Sequence, residues 1–71
     1  MRVTLTERDA GYRGYAASAG RRRWTARHNV VTGHWTVTNE RGQRLDTFGE
    51  IGRKVIEACE EFAEAALDAS L

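Results

Sequence analysis

The sequence is short of cysteine, of lysine and of any long apolar run. A single cysteine, Cys59, leaves no intramolecular disulfide for a small secreted scaffold and too few thiols for a cysteine-rich zinc module. A reducing cytoplasm is the expected setting. No stretch approaches the roughly 18 apolar residues of a membrane span, and the opening MRVTLTERDA lacks the apolar core of a signal peptide. Motifs of enzyme chemistry are missing as well: there is no serine-centred glycine elbow, no phosphate-cradling GxxxxGK and no pair of carboxylates spaced to face a cleft. Neither catalysis nor a cofactor is expected. His28, His34 and Cys59 are scattered without zinc-type spacing, so no metal is expected either.

What the chain does contain fits one small domain. At 71 residues, a domain buries only about 60% of the surface its unfolded chain exposes. That leaves room for one core and no deep pocket. The 41% apolar content is enough to fold, and stability is expected at or below the roughly 5 to 15 kcal/mol of ordinary domains, where a partner or a second copy adds what is missing. Ten arginines stand against one lysine, beside ten alanines. GC-rich coding produces that bias unaided, so the placement of the arginines says more than their number.

Placement is where the sequence speaks. Residues 1–44 hold nine arginines against three acids, net +6, whereas residues 45–71 hold Arg53 and Lys54 against seven acids, net −5. The formal +1 therefore hides a strong charge asymmetry, the signature of a binding module with one basic and one acidic face.

Hydrophobic periodicity divides the chain into a sheet part, 1–47, and a helix, 48–69, within a single domain, 1–71. The fold class expected is α+β: an antiparallel meander of three to five strands packed against one long C-terminal helix. The clearest hairpin joins Trp24–Val30 to His34–Asn39 through a turn at Thr32-Gly33, with Val30 opposite Trp35. Its core side receives Trp24, Ala26, His28, Val30, Trp35 and Val37; its outer side receives Arg23, Thr25, Arg27, Asn29, His34, Thr36 and Thr38. A three-residue loop, Glu40-Arg41-Gly42, brings Leu45 beside Val37 and adds Arg44 to the outer side. Tyr12–Ser18 reads as a further strand and Val3–Thr6 as an extra edge. Thr47 with Glu50 forms a capping box, and Phe48, Ile51, Val55, Cys59, Phe62 and Ala66 make the apolar stripe that covers the tryptophans.

Three surfaces follow from this pattern. On the outer sheet face, Arg23, Arg27 and Arg44 stand among Thr25, Thr36, Thr38 and His34, with Arg21 and Arg22 in the adjoining turn. Guanidinium forks suit phosphate oxygens and guanine edges, so this set is the candidate nucleic-acid surface; no exposed aromatic is expected on it, which speaks against single strands. A solvated sheet face is the plainer account of the same residues. The helix gathers Glu57, Glu60, Glu61, Glu64 and Asp68, including like-charge pairs four apart that folding alone does not favour. Solubility explains them, as does a basic partner. Ile56, Ala63 and Leu67 widen the apolar stripe to one side, a candidate seam for a homodimer or an edge that packs on the sheet.

From Arg22 to Ala66 the order of three strands and then a helix, begun at Thr47-Phe48-Gly49-Glu50, resembles the three-stranded DNA-binding domains found at the front of phage-type integrases. The resemblance is one of topology over about two thirds of the chain, and it implies sheet arginines placed in the major groove. The function expected is thus a small non-enzymatic nucleic-acid-binding accessory protein of phage, mobile-element or regulatory kind. The alternative is a protein–protein interaction module or inhibitor acting through the acidic helix or the basic sheet face.

Overall fold

In this computed structural model the backbone is described for residues 1–69 and side chains for residues 1–67. Five strands precede one helix: β1 (Arg2–Arg8), β2 (Tyr12–Ala19), β3 (Arg22–Asn29), β4 (Trp35–Asn39), β5 (Arg44–Leu45) and α1 (Glu50–Ala69). The strands pair in chain order, each antiparallel to the next. The α+β meander with a C-terminal helix is therefore the architecture, at the upper limit of the expected strand count, since Tyr12–Ala19 and Arg2–Arg8 are both full strands.

One side of the sheet is covered by α1. Tyr15, Ala17, Trp24, Ala26 and Val37 from the strands meet Val55 and Cys59 from the helix in a single buried cluster, with Val3, Trp35, Leu45, Ile56 and Phe62 packed against it. Rings organise its wider part: Trp35 stacks on His28 at 4.2 Å and lies 5.8 Å from Tyr15, which meets Phe62 edge-on at 6.2 Å. The alternation read from the sequence holds here, with Trp24, Ala26, His28, Trp35, Val37 and Leu45 on the covered side. Leu45 sits opposite Val37 because the loop 40–42 closes with Gly42 at φ 76, a conformation that costs glycine nothing.

The β3–β4 connection differs from the expected two-residue turn. Asn29 accepts from the amides of Val31 and Thr32 through Oδ1, and its carbonyl accepts from Gly33 at 2.8 Å. These bonds hold 30–33 as a four-residue loop, so His28, and not Val30, lies opposite Trp35. A two-residue slip preserves which side each residue faces. It nevertheless removes Val30 from the core, leaving it 41% exposed beside Val31 at 80%, and it sets His34, just before β4, opposite Asn29, whose amide donates to the His34 carbonyl at 2.8 Å.

The helix start is also corrected. Thr47 does not cap it; Asp46 does the local work, its Oδ1 accepting from Phe48 N at 2.9 Å and its carbonyl from Gly49 N at 3.0 Å. Gly49 then supplies the first helical acceptor, to Arg53 N at 2.9 Å. Because α1 begins two residues later than the capping-box pattern implied, Phe48 stays out of the core at 87% exposure and Ile51 is 38% exposed. The buried stripe is instead Gly52, Val55 and Cys59, flanked by Ile56 and Phe62. Gly52 is there because the turn comes so close: a Cβ at that position would run into the Asp46 carbonyl oxygen.

Candidate nucleic-acid interface

The uncovered side of the sheet is assembled in rows by the strand register. One row runs Thr4, Ala16, Thr25, Thr38 and Arg44 across all five strands; the next brings Arg2, Ser18 and Arg23 together. A third holds Glu7, Gly14, Arg27 and Thr36, and Tyr12 faces Asn29 beyond it. Beyond Tyr12, β2 contributes only small groups here, Gly14, Ala16 and Ser18. They form the floor of a trough flanked by arginines and threonines. One stretch of it is a groove of about 340 Å³ bordered by Arg2, Thr4, Ser18, Arg23, Thr25 and Glu40.

Arg23, Thr25, Arg27, Thr36, Thr38 and Arg44 thus share this face. Their circumstances differ. Arg27 forms an ion pair with Glu7 at 3.5 Å and lies over the Tyr12 ring at 4.6 Å. The side chains of Arg23 and Arg44 are in no ion pair among the described residues, and neither is that of Arg2 on the neighbouring edge strand. The Arg23 amide is held by Glu40 Oε2 at 2.9 Å, which ties the β4–β5 loop to the groove without occupying the guanidinium. Arg21 is exposed in the two-residue turn between β2 and β3.

Arg22 departs from the expected set. It pairs with Ala19 on the helix side of the sheet, where its guanidinium lies 5.2 Å from the centre of the Trp24 ring. Successive residues of a strand face opposite sides, so Arg22 and Arg23 cannot serve one surface. His34 stands just before β4, opposite Asn29 at the end of the Tyr12–Asn29 pair. Two members were missed in the sequence. Arg2 joins because β1 is a seven-residue strand and not a short edge, and Tyr12, 37% exposed, brings an aromatic ring to a face expected to have none. Counting back from Arg27 through the Ala19–Arg22 pairing finds Tyr12 on this side.

Opposite the trough, Glu57, Glu60, Glu61 and Glu64 are exposed on α1; Asp68 lies outside the described side chains. Charge asymmetry along the chain has become asymmetry between two layers. Of the expected dimer seam, Ile56 packs against the core, while Ala63 and Leu67 are exposed. Among the described residues no group of three or more His, Cys, Asp or Glu side chains is placed to hold a metal ion, and no helix is long and apolar enough to cross a membrane. Burial pushes the Cys59 thiol up to about 11, with Glu60 adding to the shift, and also raises the Tyr15 hydroxyl above its ordinary value. Cys59 is a neutral core group at physiological pH.

Comparison with protein-family models, with curated proteins and with solved structures finds no match for this chain. The likeness to integrase DNA-binding domains accordingly stays at the level of strand and helix order.

Proposed function

We propose that this protein is a small non-enzymatic nucleic-acid-binding accessory protein, cytoplasmic, that takes the phosphate backbone of a duplex along the trough of its open sheet face. The observation that carries the reading is the trio Arg2, Arg23 and Arg44: three guanidiniums on one face, the first two flanking the floor of Gly14, Ala16 and Ser18 and the third at the far end of the threonine row, with no ion-pair partner among the described residues. Small floor residues let a backbone approach closely. Threonine hydroxyls of the central row add short hydrogen bonds, and the forks reach phosphate oxygens on either side. The acidic helix on the far side repels the same ligand, so only one face binds.

Fluorescence anisotropy with a labelled duplex tests this directly. Binding at 50 to 100 mM salt is expected, falling with a log–log slope of about −3 for three phosphate contacts. Absence of any shift with DNA or RNA at the lower salt would remove the proposal. The alternative, a protein-interaction module, draws on the exposed Glu57, Glu61 and Glu64; it predicts a partner lost on charge reversal of those three, with nucleic acid irrelevant.

A further inference from the structure

The two edges of the sheet are unequal. β5 contributes only Arg44 and Leu45 and is too short to template another strand. β1 is seven residues long and among the described residues pairs on one side only, with β2. An unpaired strand of that length offers a row of backbone donors and acceptors that proteins normally block with charge, proline or a bulge. Here the bulge falls between Leu5 and Glu7, and the charges sit at Arg2, Glu7 and Arg8. The stretch Val3-Thr4-Leu5-Thr6 between them is uncharged and starts with the regular pairing of Val3, Thr4 and Leu5 to β2.

That stretch is self-complementary. An antiparallel pairing of two β1 strands centred on Thr4 sets Val3 opposite Leu5 of the second copy, and Arg2 opposite Thr6. Val3 and Leu5 both face the helix side, as their partners Ala17 and Tyr15 do, so apolar side chains meet apolar ones. Moving the centre to Leu5 would set Val3 and Thr4 against the bulged residues that follow Leu5, where the regular pairing breaks. Apolar surface lies beside the same edge. Leu5 is 43% exposed, and with Tyr15, Phe62 and Leu67 it lines a groove of about 370 Å³, also bordered by Arg8 and Arg13, between β1 and the last turns of α1.

We infer that two copies join edge to edge through β1, paired about Thr4, to make a ten-stranded sheet with both helices on one side. The threonine rows then run on from Arg44 through Thr4 into the second copy, and both arginine faces lie on one surface. The inference stands on the edge geometry and holds whatever the ligand of that surface.

A residue on the two-fold axis lies opposite itself, which gives the test. Directly opposed Cβ atoms in a sheet are about 4.5 to 5.5 Å apart, close enough for a disulfide after slight adjustment. Cys59 is fully buried and does not compete. Full-length Thr4→Cys protein is expected to cross-link into a dimer under mild oxidation, while Thr38→Cys, on the same face but three strands inward, is not. Sedimentation of the unmodified protein should give a dimer at tens of micromolar, and Leu5→Lys should shift it towards monomer by at least tenfold in dissociation constant. Monomer up to millimolar concentration overturns the inference, as does failure of Thr4→Cys to cross-link or equal cross-linking of Thr38→Cys. Should Leu5→Lys not fold, as read by its circular dichroism, the cysteine pair of experiments decides alone.

Discussion

The same five strands present two sides that obey different rules. On the covered side a residue's role follows from exclusion of water: Val37, Ala26 and Cys59 are fully buried, and their size and polarity are what count. On the open side, facing is not enough. Arg23 and Arg27 share a strand, a side and a chemical type, yet Arg27 is engaged by Glu7 and Tyr12 while the Arg23 guanidinium is in no ion pair among the described residues. Burial sorts one side; cross-strand neighbours sort the other.

Exchanging residues between the sides breaks the contrast most severely. Val37→Thr places a hydroxyl in the dry core and should lower unfolding stability by about 2 kcal/mol, whereas Thr36→Val on the open side should stay within about 0.5 kcal/mol of the original. Urea unfolding of the two variants measures both. Equal effects would mean that the sides are not physically distinct.

Alkaline titration probes the covered side without changing its shape. The Cys59 pKa is raised from 9.0 to about 11 in the folded protein, so the folded state holds its proton more tightly than the unfolded one does. Its contribution to stability is complete below pH 9 and declines as pH rises from about 9 to about 11. Buried Tyr15, also raised, adds to the decline at the upper end. Cys59→Ala should flatten the lower part of that decline in thermal melts taken at successive pH values.

Smaller effects separate the arginines of the open side. Arg23→Ala and Arg44→Ala should each reduce the salt slope of duplex binding by about one, while Arg27→Ala should leave it nearly unchanged. Glu7→Gln sharpens the point by releasing Arg27, and the slope should steepen by up to about one. Identical slopes for Arg23→Ala and Arg27→Ala would show that the Glu7 pair does not restrain the guanidinium. Least of all, removing the half-exposed Arg27–Glu7 pair should change stability by less than about 1 kcal/mol, read from the same urea curves.

Much of this architecture is legible from residue types and spacing. The position of Leu45 beside Val37 follows from alternation combined with a glycine at the third loop position, and the core side of β3 and β4 follows from parity alone. The slip at the β3–β4 loop escaped because an asparagine side chain, a short-range hydrogen-bonding group, extended the turn by two residues. Parity survived that slip and the identity of the opposing residue did not. Phe48 escaped for a related reason: Asp46 took the local bonds that the Thr47–Glu50 pattern had suggested, and the helix started after the phenylalanine.

The candidate surface divides along the same line. Arg23, Thr25, Arg27, Thr36, Thr38 and Arg44 reach one side because successive residues of any strand alternate, a property of backbone geometry that needs no partner. That much, with the opposed charges of the chain's two parts, belongs to the sequence itself. Which arginines keep their charge available, which edge stays open and where Tyr12 and Arg2 fall were decided only by tertiary pairing. Those outcomes depend on residues distant in the chain, brought opposite one another by loops whose hydrogen bonds set the register.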